Sequence, residues 1–276
     1  MLFRSVRLWV DDATALQWMA PHYSANGCSG LEVHPWPEGM DQSQLPEPGD
    51  VVIEAFGCNP PDAFLSKMNR ANPPRWINLE YLSAEDYVER SHKLTSPVSR
   101  GPASGLKMHF FYPGFTTATG GLIRENNLLL HLDTISETET TRLQTLQSLG
   151  IEANIGERPA FVFCYDYAPI KHWLSQLAQD PTPTHVLLAP GHASQLAKAW
   201  EMENSFSRQH LRLTAIPHLS QPDFDRLLSC TDLNLVRGED SAIRALWAGR
   251  PHVWEIYAQD DGAHADKLKA FMDHWM

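Results

Sequence analysis

Residues Asp232–Pro251 read DLNLVRGEDSAIRALWAGRP. A short apolar run, DLNLV, leads into Arg237-Gly238-Glu239-Asp240-Ser241, and a helical pattern follows at once, with Ile243, Leu246 and Trp247 at i, i+3 and i+4. The stretch is a strand, a turn and a helix in about twenty residues, the repeating unit of a parallel α/β sheet. Its turn is crowded with polar groups. A helix beginning near Ser241 presents free N–H groups and a positive dipole end directly after a buried strand, which makes an anion site. Gly238 allows a sharp turn or close approach to a ligand, Arg237 can grip a phosphate in bidentate fashion, and Asp240 and Ser241 can cap the helix. Glu239 fits an anion pocket only if it has another target, such as a sugar hydroxyl or a cationic acceptor. The alternative at this level is that Asp240 and Ser241 only cap the helix, with Arg237 and Glu239 as solvated turn charges.

Along the second half of the chain the same unit recurs. AFVFCYDY, THVLLAPG, LRLTAIPHL and PHVWEIY read as strands, separated by the helical patterns APIKHWLSQLAQ, HASQLAKAWEME, DFDRLLSC and SAIRALWAG, and AHADKLKAFMDHW closes the chain as a helix. The first half shows strands in VRLWV, GLEVHPW, DVVIEAFG and around Trp76–Leu79. A helix in DDATALQW has an Asp N-cap, and another starts at Ser83. TISETETTRLQTLQSLGI is polar and helix-prone up to Gly150. A composition break at 152–159 divides the 276 residues into two α/β domains, 1–152 and 153–276, with mostly parallel sheets. Ligands of such sheets bind beyond the carboxyl ends of the strands.

Composition narrows the function. A net charge of -11 and a pI near 5.6 give no basic face for a phosphate backbone, so nucleic acid is not an expected partner. Cys28, Cys58, Cys164 and Cys230 form no C-x-x-C pair, as expected of reduced thiols in a cytoplasm. No apolar run reaches the roughly 18 to 20 residues that span a bilayer, and the start has no signal-peptide layout, so a cytoplasmic location without membrane contact is expected. The thirteen histidines include no H-x-x-x-H or H-E-x-x-H set, so no metal is assigned. The G-x-S-x-G, Walker and G-x-G-x-x-G motifs are also missing, which counts against hydrolase, ATPase and dehydrogenase chemistry. Phe163 and Tyr165 lie on one side of a strand, either stacking on a base or packing the sheet. Gln221 just past a strand either reads a base edge or simply starts a helix.

VRGEDSAIRALWAGRPHVWEIYAQDDGAHADKLKAF closely resembles the C-terminal signature of the bacterial protein-arginine rhamnosyltransferases that modify translation elongation factor P. WINLEYLSAEDYVERSHKLTSP, FFYPGFTTATGGLIRE and FVFCYDY are similar to the same family, so the resemblance covers nearly the whole chain. It implies a GT-B glycosyltransferase with two Rossmann-like domains facing each other across a cleft. The C-terminal domain would hold dTDP-β-L-rhamnose, and the last helix would pack back on the N-terminal domain. The implied reaction is a metal-independent, cofactor-free, inverting transfer of rhamnose to an arginine side chain of elongation factor P. Matched residue by residue, donor contacts fall on Tyr165, Gln221, Arg237, Gly238, Glu239, Asp240 and Ser241. Phe163 and Tyr257 are further aromatic contacts, and Glu239 matches the essential glutamate. His218 stands where relatives carry a base-stacking phenylalanine.

The family also has a loop resembling D-N-x-G-D-x-G-V-C-W-R-L-A-R after its first strand, whose second aspartate is the proposed general base. These 276 residues contain no match to it. VRLWVDD corresponds to the family's second strand, so Asp11 and Asp12 do not replace that base. The expectation is an incomplete N-terminal domain with a sheet edge and apolar surface uncovered, weak donor binding and impaired transfer. The alternative is a non-catalytic module that binds elongation factor P or a nucleotide without chemistry.

Overall fold

The computed structural model describes residues 5–21, 30–36, 45–204 and 210–274; Cys28 lies outside them. Two compact units emerge, one built mainly on Glu125–Tyr257 and the other on Glu32–Arg124 with Val6–Asp12 and Ala258–Met276. The sequence places a single boundary at 152/153, whereas the units divide at 124/125 and again at 257/258. The reason is packing. Helices Leu128–Ser136 and Glu139–Ser148 bury Ile135 and Leu146 in the core of the larger unit, while Phe271 of the last helix packs on Phe115 of the smaller one.

In chain order the strands are β1 Val6–Val10, β2 Leu31–Pro35, β3 Val51–Ala55, β4 Arg75–Leu79, β5 Thr95–Pro97, β6 Lys107–Phe111, β7 Arg158–Val162, β8 Thr184–Leu188, β9 Leu211–Ala215, β10 Leu233–Arg237 and β11 His252–Glu255. The helices are α1 Leu16–Met19, α2 Asp62–Met68, α3 Tyr87–Ser91, α4 Leu128–Ser136, α5 Glu139–Ser148, α6 Ile170–Leu177, α7 His192–Glu203, α8 Gln221–Cys230, α9 Glu239–Ala248 and α10 Ala263–Asp273.

The larger unit is a five-stranded, wholly parallel sheet in the order β11-β10-β7-β8-β9. Counted from β7 this is 3-2-1-4-5, the doubly wound Rossmann order, whose direction reverses between β7 and β10. Both faces are covered, which explains why β8, THVLL, is buried at every residue. On one face Phe161, Leu187 and Val236 meet Leu227 and Leu228 of α8, Ala242, Ala245 and Ala248 of α9, and the helices α4 and α5. On the other, Val162, Val186 and Leu188 meet Ile170 and Leu174 of α6 and Ala193, Ala197 and Trp200 of α7. Each large aliphatic side chain buried in this way contributes about 1.5–3 kcal/mol.

The smaller unit holds the sheet β3-β4-β6-β5, parallel except for the antiparallel edge strand β5, and a separate pair, β1-β2. Met68 and Phe64 of α2 cover Val52, Trp76 and Met108 on one face. At the β3 edge Ile53 is 62% exposed. Three local expectations change. The helix after VRLWV spans only Leu16–Met19 behind an uncapped Ala15, and the Asp11 carboxylate accepts the Asp12 N–H at 2.8 Å in a turn of its own. Ser83 does not start a helix, because its hydroxyl closes a turn with Glu85, and α3 begins at Tyr87. The helix-prone stretch before Gly150 is two helices, since Thr138 and Thr141 form a reciprocal capping box that starts α5 afresh.

One buried group makes the stability of this fold pH-dependent. His185 is 1% exposed on β8 and its Nε2 lies 2.8 Å from Thr214 Oγ1. Burial, with Arg212 nearby, pushes the imidazole down to about 4. Between pH 6.5 and about 4 the unfolded chain binds a proton that the native state refuses, so stability falls with falling pH, by up to about 3 kcal/mol. Asp225, pushed up to about 6 by burial, acts in the opposite sense below that pH, so the comparison with a variant is what isolates His185. His185→Gln should flatten that acid limb in urea-unfolding titrations. An unchanged difference between pH 7 and pH 4.5 would refute the assignment.

Candidate active site

The topological reversal brings the loop after β7 beside the turn after β10. Strand β7 ends at Val162, so Phe163 and Tyr165 lie in the connection that follows and not on the strand. The Arg237 guanidinium carbon lies 4.6 Å from the ring centroids of both Phe163 and Tyr165. Such contacts are worth about 0.5–2 kcal/mol, and they fix a cation at the carboxyl end of the sheet. Tyr165 also stacks on Tyr167 at 5.4 Å and meets Tyr257 edge to face at 5.6 Å. Tyr167 and Tyr257 are exposed at 53% and 62%. Behind Phe163, Phe224 of α8 continues the row at 6.5 Å.

Glu255, at the end of β11 and in register with Arg237, accepts the Tyr165 N–H at 2.8 Å. Burial raises its carboxyl above the ordinary value, while the Tyr165 N–H and Arg237 oppose that rise. Burial also pushes the Cys164 thiol up to about 12, so it stays protonated at neutral pH and offers no thiolate.

The helix start differs from the sequence reading. Helix α9 begins at Glu239 with Gly238, which has no side chain to offer, as N-cap. Asp240 and Ser241 are therefore its second and third residues and not caps. Gly238 has φ 71° and ψ -176°, a region essentially restricted to glycine, and a Cβ there would face Tyr165 Oη at 3.7 Å. Glycine at this cap brings no side-chain oxygen to the first turn of α9, which follows directly on Arg237.

Of the residues singled out from sequence, Phe163, Tyr165, Arg237, Gly238 and Tyr257 thus converge directly, with Glu239, Asp240 and Ser241 on the adjoining helical turn. Gln221 is the first residue of α8, before Pro222 and behind the Ser220 cap. It reaches the same end of the sheet, because α8 and α9 run side by side, but no hydrogen bond joins it to the cluster. His218 stacks on Trp18 at 4.4 Å and an interplanar angle of 29°. Sequence reading missed Tyr167, Glu255 and a buried ionic knot around Arg244. Arg244 Nη1 bonds both oxygens of Asp225 at 3.0 and 2.8 Å, Nη2 bonds Glu125 at 3.0 Å, and Nε bonds Asp240 at 3.0 Å. A charged residue on the apolar side of each of two helices, Asp225 in α8 and Arg244 in α9, was the available signal. Of the predicted core trio only Ile243 is fully buried; Leu246 and Trp247 are half-buried, and alanines fill the close approach of α9 to the sheet.

Among the described residues no group of three or more His, Cys, Asp or Glu is arranged to hold a metal ion, and no helix is long and apolar enough to cross a membrane. Residues 3–276 match the family model described as Elongation-Factor P (EF-P) rhamnosyltransferase EarP. A protein-arginine rhamnosyltransferase of Pseudomonas putida is 42% identical over 98% of this chain and 73% of its own length. Its namesake in Pseudomonas aeruginosa is 38% identical over the same shares, and one in Neisseria meningitidis 36% identical over 97% and 70%. A solved structure described as "Structural basis for EarP-mediated arginine glycosylation of translation elongation factor EF-P" is similar with a TM-score of 0.58 and 27% identity, covering 98% of this chain and 76% of that one. The chain belongs to the EarP family of protein-arginine rhamnosyltransferases, glycosyltransferases of the GT-B fold.

Proposed function

We propose that this chain takes rhamnose from dTDP-β-L-rhamnose and transfers it, with inversion, to an arginine side chain of elongation factor P in the cytoplasm. The observation that carries the donor half is the Arg237 guanidinium held 4.6 Å over two aromatic rings, immediately before the glycine-capped start of α9. A nucleoside diphosphate matches that arrangement. Its diphosphate takes the N–H groups of the first turn and Arg237, while the exposed Tyr257 ring, beside Phe163 and Tyr165, offers a face to the nucleoside, and Gln221 at the start of α8 reads its polar edge. In the displacement a guanidine nitrogen bonds to the anomeric carbon as the bond from that carbon to the diphosphate oxygen breaks. The electron pair leaves with dTDP, and the proton given up by the nitrogen passes to a carboxylate and from it to solvent. The first-turn N–H groups and Arg237 stabilise the charge that grows on the leaving oxygen. Arginine is a poor nucleophile because it stays protonated, so carboxylates must orient it, and Glu239 on the first turn is the residue assigned that work.

No stretch of these 276 residues matches the family loop that carries the proposed general base. The polypeptide of residues 1–276 is therefore expected to bind dTDP and to transfer rhamnose slowly. Incubation with elongation factor P and dTDP-rhamnose, followed by mass spectrometry for one rhamnose increment on arginine, tests both statements against the Pseudomonas putida relative. Turnover as fast as that of the relative would overturn the impairment. A lack of dTDP binding in calorimetry would overturn the donor site.

A further inference from the structure

The ionic knot behind the first turn of α9 has a geometry that plain fold stabilisation does not require. Arg244 is 8% exposed and uses its guanidinium on three carboxylates from three segments. Asp225, 4% exposed, anchors Nη1 through both of its oxygens, and Glu125, ahead of α4, holds Nη2. The remaining donor, Nε, points along α9 to Asp240 Oδ2 one turn back, at 3.0 Å. Asp240 is the second residue of the helix, where a carboxylate ordinarily turns toward the free N–H groups and the positive dipole end. Here its Oδ2 instead accepts the Arg244 Nε–H.

We propose that Arg244 is a positioning residue of the donor site. By drawing the Asp240 carboxylate back along the helix and compensating its charge, it keeps that carboxylate off the first-turn N–H groups of Asp240 and Ser241, which a diphosphate would take. This rests on reading that turn as the diphosphate cradle. Without Arg244 the Asp240 side chain, 70% exposed and unrestrained, becomes an internal competitor that both occupies the donors and repels the incoming anion. Asp225 and Glu125 fix where the guanidinium sits, so the direction in which Nε pulls is set by two other segments and not by α9 itself. Lysine cannot replace it, because an ammonium is a point charge without the planar fork that serves three partners at once.

Calorimetry with three probes, inorganic pyrophosphate, thymidine and dTDP, separates the possibilities. Arg244→Gln should weaken pyrophosphate and dTDP at least about tenfold and leave thymidine unchanged, and adding Asp240→Asn should restore most of the loss. Arg244→Lys should fall between the two. Because Arg244→Gln alone strands Asp225, the Asp225→Asn/Arg244→Gln pair is measured in parallel and should show the same selective loss, with thermal unfolding as the check on folding. Pyrophosphate affinity unchanged in the Arg244 variants, equal losses for thymidine and pyrophosphate, or no rescue by Asp240→Asn would each overturn the proposal. If the wild type binds pyrophosphate as well as dTDP and Arg244→Gln weakens both, the nucleotide reading of the site fails while the role of Arg244 stands.

Discussion

Replacing Arg237 by alanine should lower the affinity for dTDP about 100-fold while leaving the fold intact. Two charge-assisted hydrogen bonds from one guanidinium to phosphate oxygens are each worth about 1.5 kcal/mol or more, and about 3 kcal/mol corresponds to a factor of about 100 in Kd. The contribution of Arg237 to stability is smaller, because its partners in the structure are two ring faces and the nearby Glu255 carboxylate. Glu255 would still accept the Tyr165 N–H, so the loop after β7 keeps its anchor. Arg237→Lys should recover part of the affinity through charge alone. Calorimetry of dTDP binding, paired with thermal unfolding, gives the answer. Binding that survives Arg237→Ala at near wild-type strength would remove the diphosphate from this turn.

The largest effect on stability is expected at Arg244. Arg244→Leu should cost about 3–5 kcal/mol, because it leaves the Asp225 carboxylate, only 5% exposed at its side chain, without its cation. Asp225→Leu should cost clearly less, since Arg244 keeps Glu125 and Asp240, both more than half exposed and hydrated. Removing both charges together should cost less than removing Arg244 alone. The pH dependence has a definite sign. Burial already raises Asp225 to about 6 against the opposing pull of Arg244. Without Arg244 that opposition is gone, the native state binds the proton more tightly still, and the deficit should shrink as pH falls from 7 toward 5. Chemical denaturation of the three variants at both pH values checks this. Equal costs for Arg244→Leu and Asp225→Leu, or a deficit that grows on acidification, would contradict the assignment.

The second half of the chain was legible because its periods are unambiguous. β8 is apolar at most of its positions, and the flanking helices carry their large residues at helical spacing, with Ile170, Leu174 and Leu177 buried. Local chemistry in the first half was less informative. Ser83 and Asp11 have the residue types of helix caps, but their side-chain oxygens accept N–H groups in short-range turns, a competition that sequence type cannot settle. The same limit moved the start of α9 to Glu239. With Gly238 in a glycine-only conformation at the N-cap, Asp240 falls one residue inside the helix, and its carboxylate bonds Arg244.

By itself the sequence determined the α/β class, the strand–turn–helix at 233–248 and the residue types gathered at its turn, because periodicity and turn chemistry act over a few neighbours. Tertiary structure alone decided the strand order that sets β7 beside β10, and with it the meeting of Phe163, Tyr165 and Arg237 across more than seventy residues. It also decided that α4 and α5 complete the larger unit and that Arg244 is clamped by Asp225 and Glu125. Long-range contacts of this kind depend on which buried faces fit one another in space, and no local pattern of residues encodes that choice.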